Sequence, residues 1–266
     1  AGAAAPHEDD DVEVEGGLYP PYSAARPLAD ESSIFETLSR RDILVHHPFH
    51  DFDSTVGRFL FEAAADPEVV AIKLTLYRTG RRSPVMEALL QALESGKDVS
   101  VFVELKARFD EESNIEWTHR LKEAGANVVT GVLGFKTHAK TALVVRREGH
   151  GVRRYVHIGT GNYNAQTARF YTDLGLMSAD PDLGADLHDF FNELTGSELP
   201  PERRFRRLLV APNSLVQEIE RLIEREADKT THFYPPGKPV IDLGQESENS
   251  LSAYSNGYLL QTFKAD

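Results

Sequence analysis

Between Val69 and Thr130 the chain alternates between two textures, and that alternation limits the fold more than any other feature. VVAIKLTL (69–76) is a short apolar run rich in β-branched residues and reads as a strand. Ser83-Pro84 opens a helix that reaches about Glu94. Serine accepts from the first free helical N–H groups, and proline at the first helical position loses no hydrogen bond there. SGKD then turns into VSVFVEL (99–105), a second strand. Asn114 to Ala124 reads as a helix ended by Gly125, and NVVT (127–130) as a third strand. Strand, helix, strand, helix, strand argues for a parallel layer with crossover helices. Farther on, TALVVRR (141–147) and RRYVHI (153–158) flank EGHG as an antiparallel pair, LGLMS (174–178) adds a strand, and Asp180-Pro181 starts a helix to about Leu194. The expected fold class is therefore α/β, a mixed sheet flanked by helices.

The flanks are less regular. DSTVGRFLFEAAADP reads as an amphipathic helix capped by Asp53 or Ser54 and stopped at Asp66-Pro67. Residues 1–33 are rich in Ala, Pro, Gly and acids without a period, and are expected to be a flexible acidic lead-in. After Arg207, LLVAP suggests a short strand and Asn213 to about Asp228 a helix. Residues 229–266 carry Pro, Gly, Ser and Asn throughout, as an irregular tail would. The folded domain is expected over 34–228.

Composition excludes some classes of function. There is no cysteine, so disulfides and thiolate metal sites are out. The net charge of −13 argues against a general nucleic-acid coat, and no nucleic-acid partner is expected. Residues 1–31 supply about half of that charge, with eight acids and one Arg, which leaves room for a local basic site in the middle of the chain. Those residues have the wrong sign for a targeting segment, and no apolar stretch approaches a membrane span. A cytoplasmic location is expected, with a membrane-peripheral one as the alternative.

Polar residues gather at the strand ends. LYRTG places Arg78 after the first strand. ELKARFDE places Glu104, Lys106 and Arg108 after the second. The third leads through GVLGFK to His138 and Lys140, while RRYVHI carries His157 and ends in GTGNYN. Open α/β sheets bind ligands outside the carboxyl ends of their strands. Two Arg, two Lys and two His at such an edge describe an oxyanion site, with phosphate as its occupant. His138 and Lys140 lie two apart and face the same way on an extended chain. The imidazole is suited to attack phosphorus and the ammonium to neutralise equatorial oxygens. Gly159-Thr160-Gly161-Asn162 offers a tight turn with backbone N–H groups and a polar arm.

Blander readings stand beside these. An isolated H-x-K is common. His46-His47 before Pro48 reads as a structured loop, since no carboxylate spacing completes a ligand set. Arg203-Arg204 and Arg206-Arg207 read as a solvated face, Tyr163 and Tyr171 as core or rim aromatics, and Trp117 as packing. Asp173 either orients a histidine or caps a turn.

Taken in order, HHPFHDFD, AIKLTLYRTG…SPV, VELKARFDEESNI, GFKTHAKTALVVRRE, HIGTGNYNAQTARFYTDLGL and FNELTG closely resemble the catalytic region of the polyphosphate kinase family, from about Ile34 to about Glu226. The family belongs to the phospholipase D-like superfamily, whose H-x-K signature and downstream G-S/T-x-N resemble HAK and GTGN here. Val145 stands where the phospholipase D signature has Asp, a departure that suits a kinase better than a phosphodiesterase. The resemblance implies that His138 becomes phosphorylated, and that Arg78 and Arg108 are associated with the Mg²⁺-nucleotide. A guanidinium is a cation and does not ligate Mg²⁺, so both are expected to hold phosphate oxygens. Tyr171 matches a nucleotide-contacting tyrosine, and Lys140, His157, Asn162 and Asn164 are the implied neighbours. The implied reaction moves the ATP γ-phosphate reversibly to polyphosphate.

The family's amino-terminal and helical domains, and its second phospholipase D-like domain, have no counterpart in this sequence. The resemblance thus implies one wall of a two-walled site, completed by a further copy of the chain or a missing-domain partner. Two alternatives stay open: a polyphosphate- or nucleotide-binding module without turnover, and a phospholipase D-like phosphodiesterase.

Overall fold

The structure, a computed structural model, describes residues 22–77, 80, 83–104, 111–131, 137–195, 205–211 and 215–233. In chain order the strands are β1 (Ile43–His47), β2 (Val69–Leu76), β3 (Asp98–Val103), β4 (Asn127–Thr130), β5 (Lys140–Glu148), β6 (Gly151–Gly159) and β7 (Asp173–Ser178). They form one sheet in the order β1-β7-β6-β5-β2-β3-β4. β2, β3 and β4 are parallel, with α3 (Pro84–Glu94) and α4 (Glu111–Glu123) as the crossovers. β5 runs antiparallel along the other side of β2, and β6, β7 and β1 continue the antiparallel half. This is the mixed α/β sheet expected from the sequence.

Alternation explains why the central strands read as unbroken apolar runs. Ala142 and Val144 of β5 face the larger core, with Phe59, Leu60, Met86, Leu89 and Leu121 from the helices on that side. Leu143 faces the opposite layer, where Val156 and Ile158 of β6 meet Leu187, Phe190 and Phe191 of α5 (Pro181–Leu194). Both faces of β5 are buried, so no polar residue interrupts its middle.

Several boundaries differ from the sequence reading, each for a local reason. The helix expected after Asp53 begins with a π turn over Asp53–Gly57 and continues as α2 (Arg58–Ala65). Its capping side chain is Asp51, not Asp53 or Ser54: Asp51 Oδ1 accepts from Ser54 N at 2.8 Å. A short helix α1 (Ile34–Arg40) and the edge strand β1 were not legible in the sequence, because each is short and takes its order from packing. Residues 22–33, read as part of a lead-in, include a buried Leu28, and Arg58 donates to the carbonyls of Leu28 and Glu31 at 2.6 and 2.7 Å. The described part of LLVAP, residues 208–211, is no strand; within it only Leu208 makes a bridge. The last helix runs over Leu215–Phe233, past the expected end. Residues 234–266 lie outside the described residues.

Asp186 accounts for the path of residues 205–208. It sits on α5 with 1% of its surface exposed, and its Oδ2 accepts from the backbone N–H groups of Arg206, Arg207 and Leu208 at 2.7, 2.6 and 3.0 Å. A carboxylate binding three convergent N–H groups is a backbone anion nest formed inside the protein. Asp186→Ala is therefore expected to lower the unfolding free energy by about 2–4 kcal/mol, since three donors lose a charged acceptor in a buried place. Asp186→Asn keeps an acceptor and loses less. Urea unfolding of the two variants checks this; equal midpoints for Ala and wild type would remove the anchoring role.

Candidate functional site

Strand direction alone brings the chemistry to one edge of the sheet. β2, β3 and β4 end there, at Leu76, Val103 and Thr130. β5 runs against β2 and so begins there, at Lys140. β6 ends there, with Gly159 opposite Lys140. β7 begins there, and His47 at the end of β1 pairs with Asp173. The H-x-K segment and the Gly159–Asn162 turn are thus side by side, as an antiparallel pair requires.

The segment carrying His138 is held from several directions. Glu104, just past β3 and 3% exposed, accepts from Thr137 N through Oε2 at 3.0 Å. Thr75 of β2 donates through Oγ1 to Ala139 O at 2.8 Å and accepts from Thr141 N at 3.0 Å. Asn114 of α4 donates through Nδ2 to the carbonyls of Tyr77 and Glu104, at 2.8 and 3.3 Å, and so ties the ends of β2 and β3 together. Trp117 Nε1 donates to Gly80 O at 2.9 Å, which gives it a bond to the loop after β2 as well as a packing role.

His138 itself is half-buried and precedes β5, which starts at Lys140 rather than including both residues. Its ring meets Tyr77 edge to face, with centroids 4.8 Å apart. Lys140 is 3% exposed; its Nζ donates to His138 O at 2.7 Å and lies 5.0 Å from the Tyr77 ring centroid. The ammonium is therefore tethered beside the histidine, not extended into solvent.

His157 takes a different place. It lies on β6 opposite Ala142 and Met177, buried beneath the turn. Its Nδ1 is 2.7 Å from the Tyr163 hydroxyl. Burial, with a smaller push from His47, lowers its pKa to about 3, so the imidazole is neutral throughout the physiological range. A neutral ring with an occupied nitrogen is a support for the turn. It is poorly suited to moving protons near neutrality. His47 adjoins the same cavity, its Nδ1 2.8 Å from His50 O, and burial lowers its pKa as well.

The turn is bonded to β7. Thr160 Oγ1 donates to Asp173 Oδ1 at 2.6 Å, and Thr160 N donates to Leu174 O at 2.9 Å. Asp173 thus fixes the turn. Gly161 is required there because a Cβ would come within 2.7 Å of Asp173 Oδ2. Asn162 lines the cavity under the turn, with Oδ1 buried and unpartnered among the described residues. Asn164 Oδ1 accepts from Gln166 N and Thr167 N at 3.0 and 3.2 Å, capping the short turn Thr167–Arg169. Tyr171 is 61% exposed, next to an exposed Phe170. Arg78, Arg108 and Lys106 lie outside the described residues; the elements before them end at this edge.

The sequence had pointed to Glu104 but missed Thr75, Tyr77, Asn114 and Thr137. A signal existed for Thr75, a polar residue inside an apolar strand. The others act through contacts distant in sequence. Among the described residues no cluster of three or more His, Asp or Glu side chains could hold a metal ion.

The depressed pKa of His157 gives a pH prediction. Below the unfolded value near 6.5 the unfolded chain takes up a proton that the folded chain refuses until about pH 3. Stability from this group is complete above pH 6.5 and is lost as pH falls toward 3, by about 1.4 kcal/mol per unit. In urea titrations from pH 7 to 4, His157→Gln should show a shallower decline than wild type. Parallel curves would rule out a buried neutral ring.

Comparison with known proteins places this arrangement. A family model described as polyphosphate kinase C-terminal domain 1 matches residues 33–200. The polyphosphate kinase of Mycolicibacterium gilvum is 53% identical over 224 residues, covering 82% of this chain and 30% of the relative. That of Mycobacterium marinum is 56% identical over 212 residues, covering 79% of this chain and 28% of the relative. The crystal structure of polyphosphate kinase from Porphyromonas gingivalis aligns with a TM-score of 0.70 at 41% identity, covering 81% of this chain and 35% of that one. The chain thus spans about 30% of the length of the curated relatives it matches. With the family model matched over more than half its residues, the chain belongs to the polyphosphate kinase family.

Proposed function

We propose that this chain carries the phosphoryl-accepting part of a polyphosphate kinase active site, with His138 as nucleophile. A ring nitrogen of His138 bonds to the γ-phosphorus of ATP while the bond to the β–γ bridging oxygen breaks and ADP leaves. The phosphohistidine then passes its phosphoryl group to the terminal oxygen of a polyphosphate chain, and the reverse sequence makes ATP. The observation that carries the reading is the held segment 137–141, which presents His138 beside the tethered Lys140 ammonium and next to the Gly159–Asn162 turn. A loose phosphoryl-transfer transition state leaves the protein mainly positioning and charge compensation to supply, and these residues supply both.

Other assignments follow from the family. Arg78 and Arg108 hold phosphate oxygens, Tyr171 offers an exposed ring to the nucleobase, and the Asn162 and Asn164 side chains border the phosphates. Mg²⁺ arrives with the nucleotide's phosphates. ATP, ADP and inorganic polyphosphate are the proposed partners, in a cytoplasmic setting. A second wall for the site comes from another copy of the chain or from another part of the same protein. Among the described residues no helix is long and apolar enough to cross a membrane.

The test is incubation with γ-labelled ATP and Mg²⁺, followed by assay for acid-labile, alkali-stable label. Wild type should take label and His138→Ala none. Lys140→Met should slow labelling by about a hundredfold, the scale of losing one preorganised charge at a transferring group. Folded wild-type protein without label would sink phosphorylation by this chain alone, and ATP binding that survives in His138→Ala would then favour a binding module. Cleavage of a phosphodiester without ATP would favour the phospholipase D-like alternative.

A further inference from the structure

We propose that Tyr77 is a positioning residue for the His138–Lys140 pair: one ring fixes both the direction of the imidazole and the place of the ammonium, so that the two meet the same phosphoryl group. The chemistry of this proposal rests on the phosphohistidine reading above; its geometry does not.

Three contacts define the role. The His138 ring stands on Tyr77 edge to face, with an interplanar angle of 79° and centroids 4.8 Å apart. The Lys140 ammonium lies 5.0 Å from the centroid of the same ring. It also donates to His138 O at 2.7 Å, so the carbonyl and the ring together locate the charge. An aromatic ring has a negative face and a positive edge, which favours both a cation near the ring and a T-shaped neighbour.

The ring is itself held. Tyr77 is buried at 8% exposure, and its carbonyl accepts from Asn114 Nδ2 at 2.8 Å. Asn114 also donates to Glu104 O, and Glu104 accepts from Thr137 N, the residue before His138. Contacts therefore close a circuit from Tyr77 through α4 and the end of β3 back to the nucleophile. A residue that only filled the core would be replaceable by an aliphatic one of similar size. A residue that aims two functional groups would not be, and its loss would slow the chemical step while leaving nucleotide affinity nearly intact.

The experiment combines NMR of the chain with single-turnover labelling by γ-labelled ATP. Wild type should show an NOE between the Tyr77 and His138 ring protons, and ring-current shifts of the His138 ring and Lys140 Hε signals. Tyr77→Leu should abolish those shifts and slow labelling at saturating ATP about tenfold, with half-saturation changed less than about twofold. Tyr77→Phe keeps the ring and should restore the shifts and most of the lost rate. No NOE in wild type, unchanged His138 shifts in Tyr77→Leu, or an unchanged labelling rate in that variant would each overturn the proposal. If wild type takes no label, phosphorylation by this chain alone fails and the NMR results alone decide the role of Tyr77. If Tyr77→Leu does not fold, the wild-type NOE and the Tyr77→Phe shifts decide it.

Discussion

Thr75 stands at the seam between the parallel and antiparallel halves of the sheet, and the candidate site depends on what it does there. The regular β2–β5 pairing ends at Leu74 and Ala142. Beyond that point the Thr75 hydroxyl bonds Ala139 O and Thr141 N in place of a backbone partner. A hydroxyl can donate and accept at once, so one side chain secures the residues on both sides of Lys140. Glu104, just past β3, holds the residue preceding His138 by accepting from Thr137 N. The ends of two parallel strands thus determine where an antiparallel strand begins, and His138 sits at that beginning.

The other side of the site is ordered by burial. His157, Tyr163 and His47 pack beneath the turn that follows β6, and the turn is tied to β7 through Thr160 and Asp173. A buried imidazole stays neutral because burial penalises its charged form, and a neutral ring can support a turn without drawing in a counter-ion. Gly161 allows the Asp173 carboxylate to lie directly against the turn. The charged groups proposed to meet phosphate are thereby kept apart from the neutral groups that hold the backbone in place.

Much of the fold was legible because it rests on local signals. Ser83-Pro84 and Asp180-Pro181 place a cap and a proline at helix starts, and both side chains cap as expected: Ser83 accepts from Met86 N and Asp180 from Leu183 N. The short, β-branched and mainly apolar run of β2 announced a strand. The true cap at Asp51 was hidden by two equally plausible neighbours, and α1 and β1 by their shortness. At the site, His138 and Lys140 were visible from spacing, and family resemblance gave them their roles. That the Asn164 carbonyl oxygen caps the Thr167–Arg169 turn was not legible, because where the chain bends sets that contact.

The sequence by itself determined the strand and helix order, the family, and the presence of an H-x-K segment followed by a glycine-rich turn. These are properties of neighbouring residues, set by side-chain periodicity and turn chemistry. Only the tertiary structure decided that Lys140 is tethered to His138, that His157 is a buried support, and that Tyr77, Thr75, Glu104 and Asn114 converge on residues 137–141. Those contacts join residues brought together by strand pairing across the sheet, and the free energy that forms them is the burial of the whole core, which no local stretch of sequence records.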